Sequence, residues 1–192
     1  MKICIFCSAN QQIDPEFFSL TEELGQWAAE NGHSIVYGGV NQGLMECVAK
    51  AAKTHGGRTI GIVPTIVEKS GRTSDYVDVE IPCDNLSDRK QLMMDQSDVF
   101  IALPGGIGTY EEFFETLTLK QLGRHSKPMA LLNTLGYFDP FHTLLQFTAA
   151  SRFMSADVLS LSALCDSPAQ ALLHVETPSA PAAPRDISRY NR

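Results

Sequence analysis

Hydrophobic positions along the chain alternate between two spacings. Short, nearly continuous apolar runs occur at Ile3–Cys7, Ser34–Tyr37, Arg58–Val63, Val99–Leu103, Met129–Leu132 and Val158–Leu164. Runs of this length with apolar groups on both faces predict strands of a parallel sheet covered on both sides. Amphipathic segments separate them: Phe17, Phe18, Leu24, Trp27 and Ala28 form one helical stripe. Asp14-Pro15, Asp139-Pro140 and Ser167-Pro168 each offer a capping side chain followed by a proline suited to a first helical turn. Asn31-Gly32 is a stop signal for the first helix. The alternation predicts a doubly wound parallel α/β sheet in a single domain over residues 1–176. Glu68–Asp84 is polar and weakly patterned, and is predicted as a loop with an extended piece at Tyr76–Ile81. Residues 177–192 turn to Pro, Ala, Ser and Arg, the composition of a disordered tail. No internal repeat is visible.

Charge and composition narrow the partners. The formal net charge of −7 argues against nucleic acid or an anionic membrane surface, both of which call for a basic face. No apolar run approaches the roughly 20 residues needed to cross a bilayer. Met1–Cys7 is too short for a secretory signal, so a cytoplasmic protein is expected. Cys4-Ile5-Phe6-Cys7 has redox spacing, but on a strand its two thiols point to opposite faces. The five cysteines are read as buried structural thiols. The five histidines have no metal-ligand spacing, and neither a zinc pattern nor a G-x-x-x-x-G-K-[ST] loop occurs, so no metal site is expected.

The chemistry concentrates in two strand–glycine–helix junctions. One is Tyr37-Gly38-Gly39-Val40-Asn41-Gln42-Gly43-Leu44-Met45-Glu46. The other is Leu103-Pro104-Gly105-Gly106-Ile107-Gly108-Thr109-Tyr110-Glu111-Glu112. Glycines between strand and helix let backbone N–H groups approach an anion, and the helix N-terminus adds partial positive charge. In a parallel sheet such turns gather at the C-terminal strand ends, where Ser8 also belongs. A simpler reading of Thr109-x-x-Glu112 is a capping box, which accounts for those two residues but not for three crowded glycines. Arg89-Lys90 opens another helix and supplies two cations, either for a ligand or for a solvated face. Phe113, Phe114, Leu117, Leu119 and Leu122 place apolar groups on more than one side of the helix after Gly108; this predicts a homodimer through that helix, the plainer reading being a helix buried within the monomer.

Taken together, Tyr37-Gly38-Gly39, Gly43-Leu44-Met45, Arg89-Lys90 and Pro104-Gly105-Gly106-x-Gly108-Thr109-x-x-Glu112 resemble the LOG family. Its members are cytokinin-activating nucleoside 5′-monophosphate phosphoribohydrolases, often labelled lysine decarboxylase-like. The resemblance runs from Met1 to about Val175. It implies a Rossmann-like fold, a homodimer or larger assembly of dimers, and hydrolysis of an N-glycosidic bond without a cofactor. It also implies Arg89 and Glu112 as the catalytic pair. Lys90, Gly106, Ile107, Gly108, Thr109, Tyr110, Glu111 and Thr118 would line the substrate site with them, and the reading of the strand-end turns adds Ser8, Gly39 and Gly105. The chain departs from the family's usual Met-His-Glu/Gln at Leu86-Ser87-Asp88, from its aromatic at Ile107, from its Trp at Leu119, and from its Glu near Gly71. These changes bear on which base is accepted. The alternative is a non-catalytic binding module, since relatives of this fold carry nucleotide-like ligands such as molybdenum cofactor. The decarboxylase label fits poorly, because pyridoxal phosphate chemistry needs a Schiff-base lysine in a cofactor site.

Overall fold

The computed structural model describes residues 1–177. Seven parallel strands form one sheet: β1 (Lys2–Phe6), β2 (Ser34–Tyr37), β3 (Arg58–Pro64), β4 (Val79–Cys83), β5 (Val99–Ala102), β6 (Met129–Leu132) and β7 (Ala163–Cys165). The helices that follow them in turn are α1 (Pro15–Glu30), α2 (Gly43–Thr54), α3 (Thr65–Lys69), α4 (Leu86–Asp95), α5 (Ile107–Gln121), α6 (Asp139–Ala150) and α7 (Pro168–Glu176). The strand order is β4-β3-β2-β1-β5-β6-β7. The chain therefore builds outward from β1 in one direction and from β5 in the other. The switch lies between β1 and β5, paired from Ile3 opposite Val99 to Phe6 opposite Ala102. Loops leaving the two strands diverge there and open a crevice, the place where ligands bind in open α/β sheets.

Two buried clusters cover the sheet, one on each face. Ile3, Ile5, Tyr37 and Ile101 pack with Leu24, Ala28, Leu44, Val48 and Leu172, from α1, α2 and α7. Cys4, Phe6, Val36 and Phe100 pack with Met93, Phe113, Leu117 and Phe141, from α4, α5 and α6. The period-2 alternation along β1 sends Ile3 and Ile5 one way and Cys4 and Phe6 the other, so the strands read as continuously apolar. Cys4 and Cys7 fall in opposite clusters. Burial raises both thiol pKa values, the opposite of an activated redox pair.

Three predicted elements shift. Val158 lies in a 3-10 turn over Ala156–Ser160, and only Ala163–Cys165 is a strand. Ser160 donates its hydroxyl hydrogen bond to the Asp157 carbonyl (2.7 Å), a local side-chain bond that favours a turn. The predicted loop Glu68–Asp84 holds the last two residues of α3 and a complete edge strand, β4. Pro82 is tolerated there because an edge strand leaves one row of backbone groups unpaired. Asp139 is the first helical residue of α6 rather than its cap, and it accepts from the Asn133 side-chain amide (2.8 Å). Asp14 and Ser167 do cap their helices. The predicted tail, from residue 178 onward, lies outside the described residues. Among the described residues no helix is long and apolar enough to cross a membrane.

Candidate active site

Backbone hydrogen bonds tie three strand-end loops together at the switch point. Ser8 N–H donates to the Pro104 carbonyl (3.2 Å), and Leu44 N–H donates to the Ser8 carbonyl (2.9 Å). Gly43 makes the second contact possible. Its φ is +58°, and a Cβ there would lie 2.5 Å from the Ala9 carbonyl carbon. Gly105 is packed as tightly, since a Cβ would meet the Thr109 hydroxyl oxygen at 2.1 Å.

Helix α5 begins beside these loops with no side-chain cap. Gly106 occupies the capping position, and the first turn carries no acid. The first helical hydrogen bond runs from Tyr110 N–H to the Gly106 carbonyl. The N–H groups of Ile107, Gly108 and Thr109 therefore have no intrahelical acceptor, and they carry the positive end of the helix dipole. Thr109 sits inside the first turn, so no capping box forms with Glu112. Glu112 is 9% exposed and faces Arg89, with Oε1 3.7 Å from Nη1. Burial raises its carboxyl pKa to about 7, against the pull of the Arg89 guanidinium.

Arg89 comes from α4, whose start is fixed by Asn85; the Asn85 side chain accepts from Ser87 N–H (2.9 Å) and Asp88 N–H (3.0 Å). The Arg89 side chain is 13% exposed, and its buried Nε has no hydrogen-bond partner. Arg89, Glu112, Ser8, Gly106, Gly108 and Thr109 share a cavity of about 290 Å3 with Cys7, Ala9 and Met45. A second cavity of about 280 Å3 adjoins it across Gly106, walled by Ser8, Asn10, Ile13, Phe17, Pro104, Gly105 and Tyr137. A larger hollow of about 410 Å3 runs along the outer edge by Pro82 and Leu92. It includes neither a glycine turn nor a buried ion pair, so size alone does not locate the chemistry.

A family model described as "Possible lysine decarboxylase" matches residues 45–175. A probable cytokinin riboside 5′-monophosphate phosphoribohydrolase of Oryza sativa subsp. japonica is 40% identical over 159 residues, 81% of this chain and 70% of the relative. The cytokinin riboside 5′-monophosphate phosphoribohydrolase of Rhodococcoides fascians is 33% identical over 92% of this chain and 89% of its own length. The chain belongs to the LOG family. Among solved structures, the Moco carrier protein from Chlamydomonas reinhardtii superposes with a TM-score of 0.69 at 26% identity, covering 91% of this chain and 94% of that one. The molybdenum cofactor binding protein from Rippkaea orientalis gives 0.70 at the same identity and coverage. None of the residues lining the Arg89–Glu112 cavity is a lysine, so the decarboxylase description finds no Schiff-base group there.

Not every predicted site residue meets at this cavity. Gly39 (φ +68°) packs under Val63, whose Cγ2 would lie 2.5 Å from a Cβ. Tyr110 stacks on Phe141 at 5.3 Å. Ile107 is 84% exposed. Glu111 is exposed and pairs with Lys90. Thr118 is exposed on α5, because six residues beyond Glu112 bring it about 240° around the helix. Sequence reasoning missed Cys7, Met45 and above all Gly38. A Cβ on Gly38 would lie 1.8 Å from the Arg89 Nη2, so this glycine makes room for the guanidinium. The Gly38-Gly39 pair signalled a close approach without showing which glycine served which neighbour.

Proposed function

We propose that this chain hydrolyses the N-glycosidic bond of purine nucleoside 5′-monophosphates, N6-prenylated cytokinin forms among them, giving free base and ribose 5-phosphate. The observation that carries this reading is the buried Arg89–Glu112 pair in one cavity with the uncapped start of α5. The 5′-phosphate accepts hydrogen bonds from the N–H groups of Ile107, Gly108 and Thr109. The ribose then reaches Glu112, whose carboxylate stabilises positive charge at the anomeric carbon and orients the attacking water. Water oxygen bonds to that carbon as the carbon–nitrogen bond breaks, and the base leaves with the electron pair and takes a proton. Arg89 offsets the negative charge developing on the leaving base. The names of the relatives support this assignment. The structural neighbours named as molybdenum cofactor carriers support a second reading, binding without turnover.

Chromatography of free base released from AMP, from isopentenyladenosine monophosphate and from adenosine separates the two. Cleavage of the monophosphates but not adenosine is the expected result; tight binding with no cleavage selects the carrier. Gly106→Ala sharpens the test. A Cβ at Gly106 meets nothing within 4 Å, so the fold tolerates it. The methyl blocks ligand approach to the cradle, and KM for the monophosphate should rise about tenfold with an unchanged melting temperature. An unmoved KM would place the phosphate elsewhere.

A second copy of the chain is proposed to dock on α5 and α6, where Phe114 (39% exposed), Leu122 (42%), Leu144 (55%) and Phe147 (68%) leave apolar surface uncovered. Sedimentation should give twice 21.0 kDa. Phe147→Glu should shift that to the monomer; a monomeric wild type would end the proposal.

A further inference from the structure

Arg89 and Lys90 are adjacent on α4, but they meet different parts of α5. Arg89 points into the cavity toward Glu112. Lys90 Nζ lies 2.6 Å from the Glu115 carboxylate and also donates to the Glu111 carboxylate. Glu111 and Glu115 are one turn apart and share a stripe of the helix; Glu112 is rotated about 100° away, toward the cavity. Two neighbouring cations of α4 thus meet three carboxylates of α5 in two separate sets. The ammonium thus hydrogen-bonds Glu111 and stands in ion-pair contact with the buried Oε2 of Glu115. The two carboxylates, Glu111's first, also raise the Lys90 pKa. The start of α4 is otherwise held by its own Asn85 cap, and Met93 is its one buried residue.

We infer that Lys90, Glu111 and Glu115 form a clamp that sets Arg89 opposite Glu112, and that all three are positioning residues rather than substrate ligands. This inference rests on the phosphoribohydrolase reading. The clamp fixes the rotation of α4 about its axis, and with it the direction in which Arg89 leaves the helix. It also keeps the second cation away from the phosphate cradle, so the anion is met by backbone N–H groups. A displacement of the guanidinium by an ångström costs turnover without changing the contacts that bind phosphate.

Steady-state kinetics on AMP with purified full-length variants, together with crystal structures, test the clamp. Lys90→Met should lower kcat about tenfold and leave KM within about twofold, with Lys90→Arg recovering most of the loss. Glu111→Gln combined with Glu115→Gln should repeat the fall in kcat. A direct phosphate contact predicts the reverse pattern: Lys90→Met would raise KM about tenfold or more, and the paired glutamine variant would lower KM by freeing the ammonium. That pattern overturns the inference. If the wild type releases no base, the phosphoribohydrolase reading fails separately, and the crystal structure of Lys90→Met decides the clamp. Arg89 Nη1 and Glu112 Oε1 parting beyond 3.7 Å upholds it, and an unchanged separation overturns it.

Discussion

Glu112→Gln should lower kcat by about 10²-fold or more while leaving the fold intact. The substitution keeps the shape and removes only the charge. It acts at a group that the protein has already made unusual, since burial lifts the carboxyl pKa from 4.5 to about 7. Arg89 and Lys90 on α4, Glu111 and Glu115 on α5, and the thiols of Cys4 and Cys7 on the sheet side all interact with this carboxyl. The proposed role needs the carboxylate, so kcat/KM should fall as pH drops through about 7, and this limb should vanish in the variant. Stability should move the other way. A carboxyl whose folded pKa exceeds its unfolded one favours the native state most at low pH. That contribution is fully present below pH 4.5 and is lost as pH rises through about 7. The ionised group therefore costs the native state up to about 3 kcal/mol at pH 8, a cost that glutamine lacks. The variant should melt above the wild type at pH 8, and the gap should close near pH 4. Unchanged turnover would remove Glu112 from the mechanism, and a lower melting point at pH 8 would make it a structural residue instead.

The fold was readable where local pattern and tertiary need agree. The apolar runs of β1, β2, β3, β5 and β6 are buried on both faces, so burial appears directly in the sequence. At the two edges it does not. Val79-Glu80-Ile81-Pro82-Cys83 alternates and carries a proline, yet the unpaired side of an edge strand accepts it. Val158 is core without being strand, because the polar groups around it close a turn. The site was readable as a set of glycine turns and charged pairs, but the direction of each side chain was not. Arg89 and Lys90 are one residue apart, and so are Glu111 and Glu112. In both pairs one residue enters the cavity and the other leaves it, a difference fixed by helix rotation and by partners distant in the chain. Gly38 and Gly39 divide in the same way, one beneath Arg89 and the other against Val63.

That division makes Gly38→Ala the sharper probe of the arginine. A Cβ at this position would lie 1.8 Å from Arg89 Nη2, 3.0 Å from Cζ and 3.2 Å from Met45 Sδ. An ordinary contact needs about 3.5 Å, so the guanidinium must retreat by about 1.7 Å or swing out of the cavity. The atoms that must move are at the ends of flexible side chains. Gly38, unlike Gly39, does not have a positive φ, so an alanine imposes no backbone strain. The melting temperature should therefore change little, by the equivalent of about 1 kcal/mol or less. Turnover should fall about 10²-fold, because a misplaced cation cannot offset charge on the leaving base at the moment it develops. The Glu112 pKa should rise above about 7 as its counter-charge withdraws, carrying the acid limb of the pH profile upward with it. Gly39→Ala provides the contrast. Its φ of +68° and the Val63 methyl 2.5 Å from the new Cβ should lower the melting point, with any loss of activity following the loss of fold. If Gly38→Ala instead retained full turnover and an unshifted pH profile, Arg89 would have no part in the chemistry. The pair it makes with Glu112 would then belong to the packing of α4 on α5.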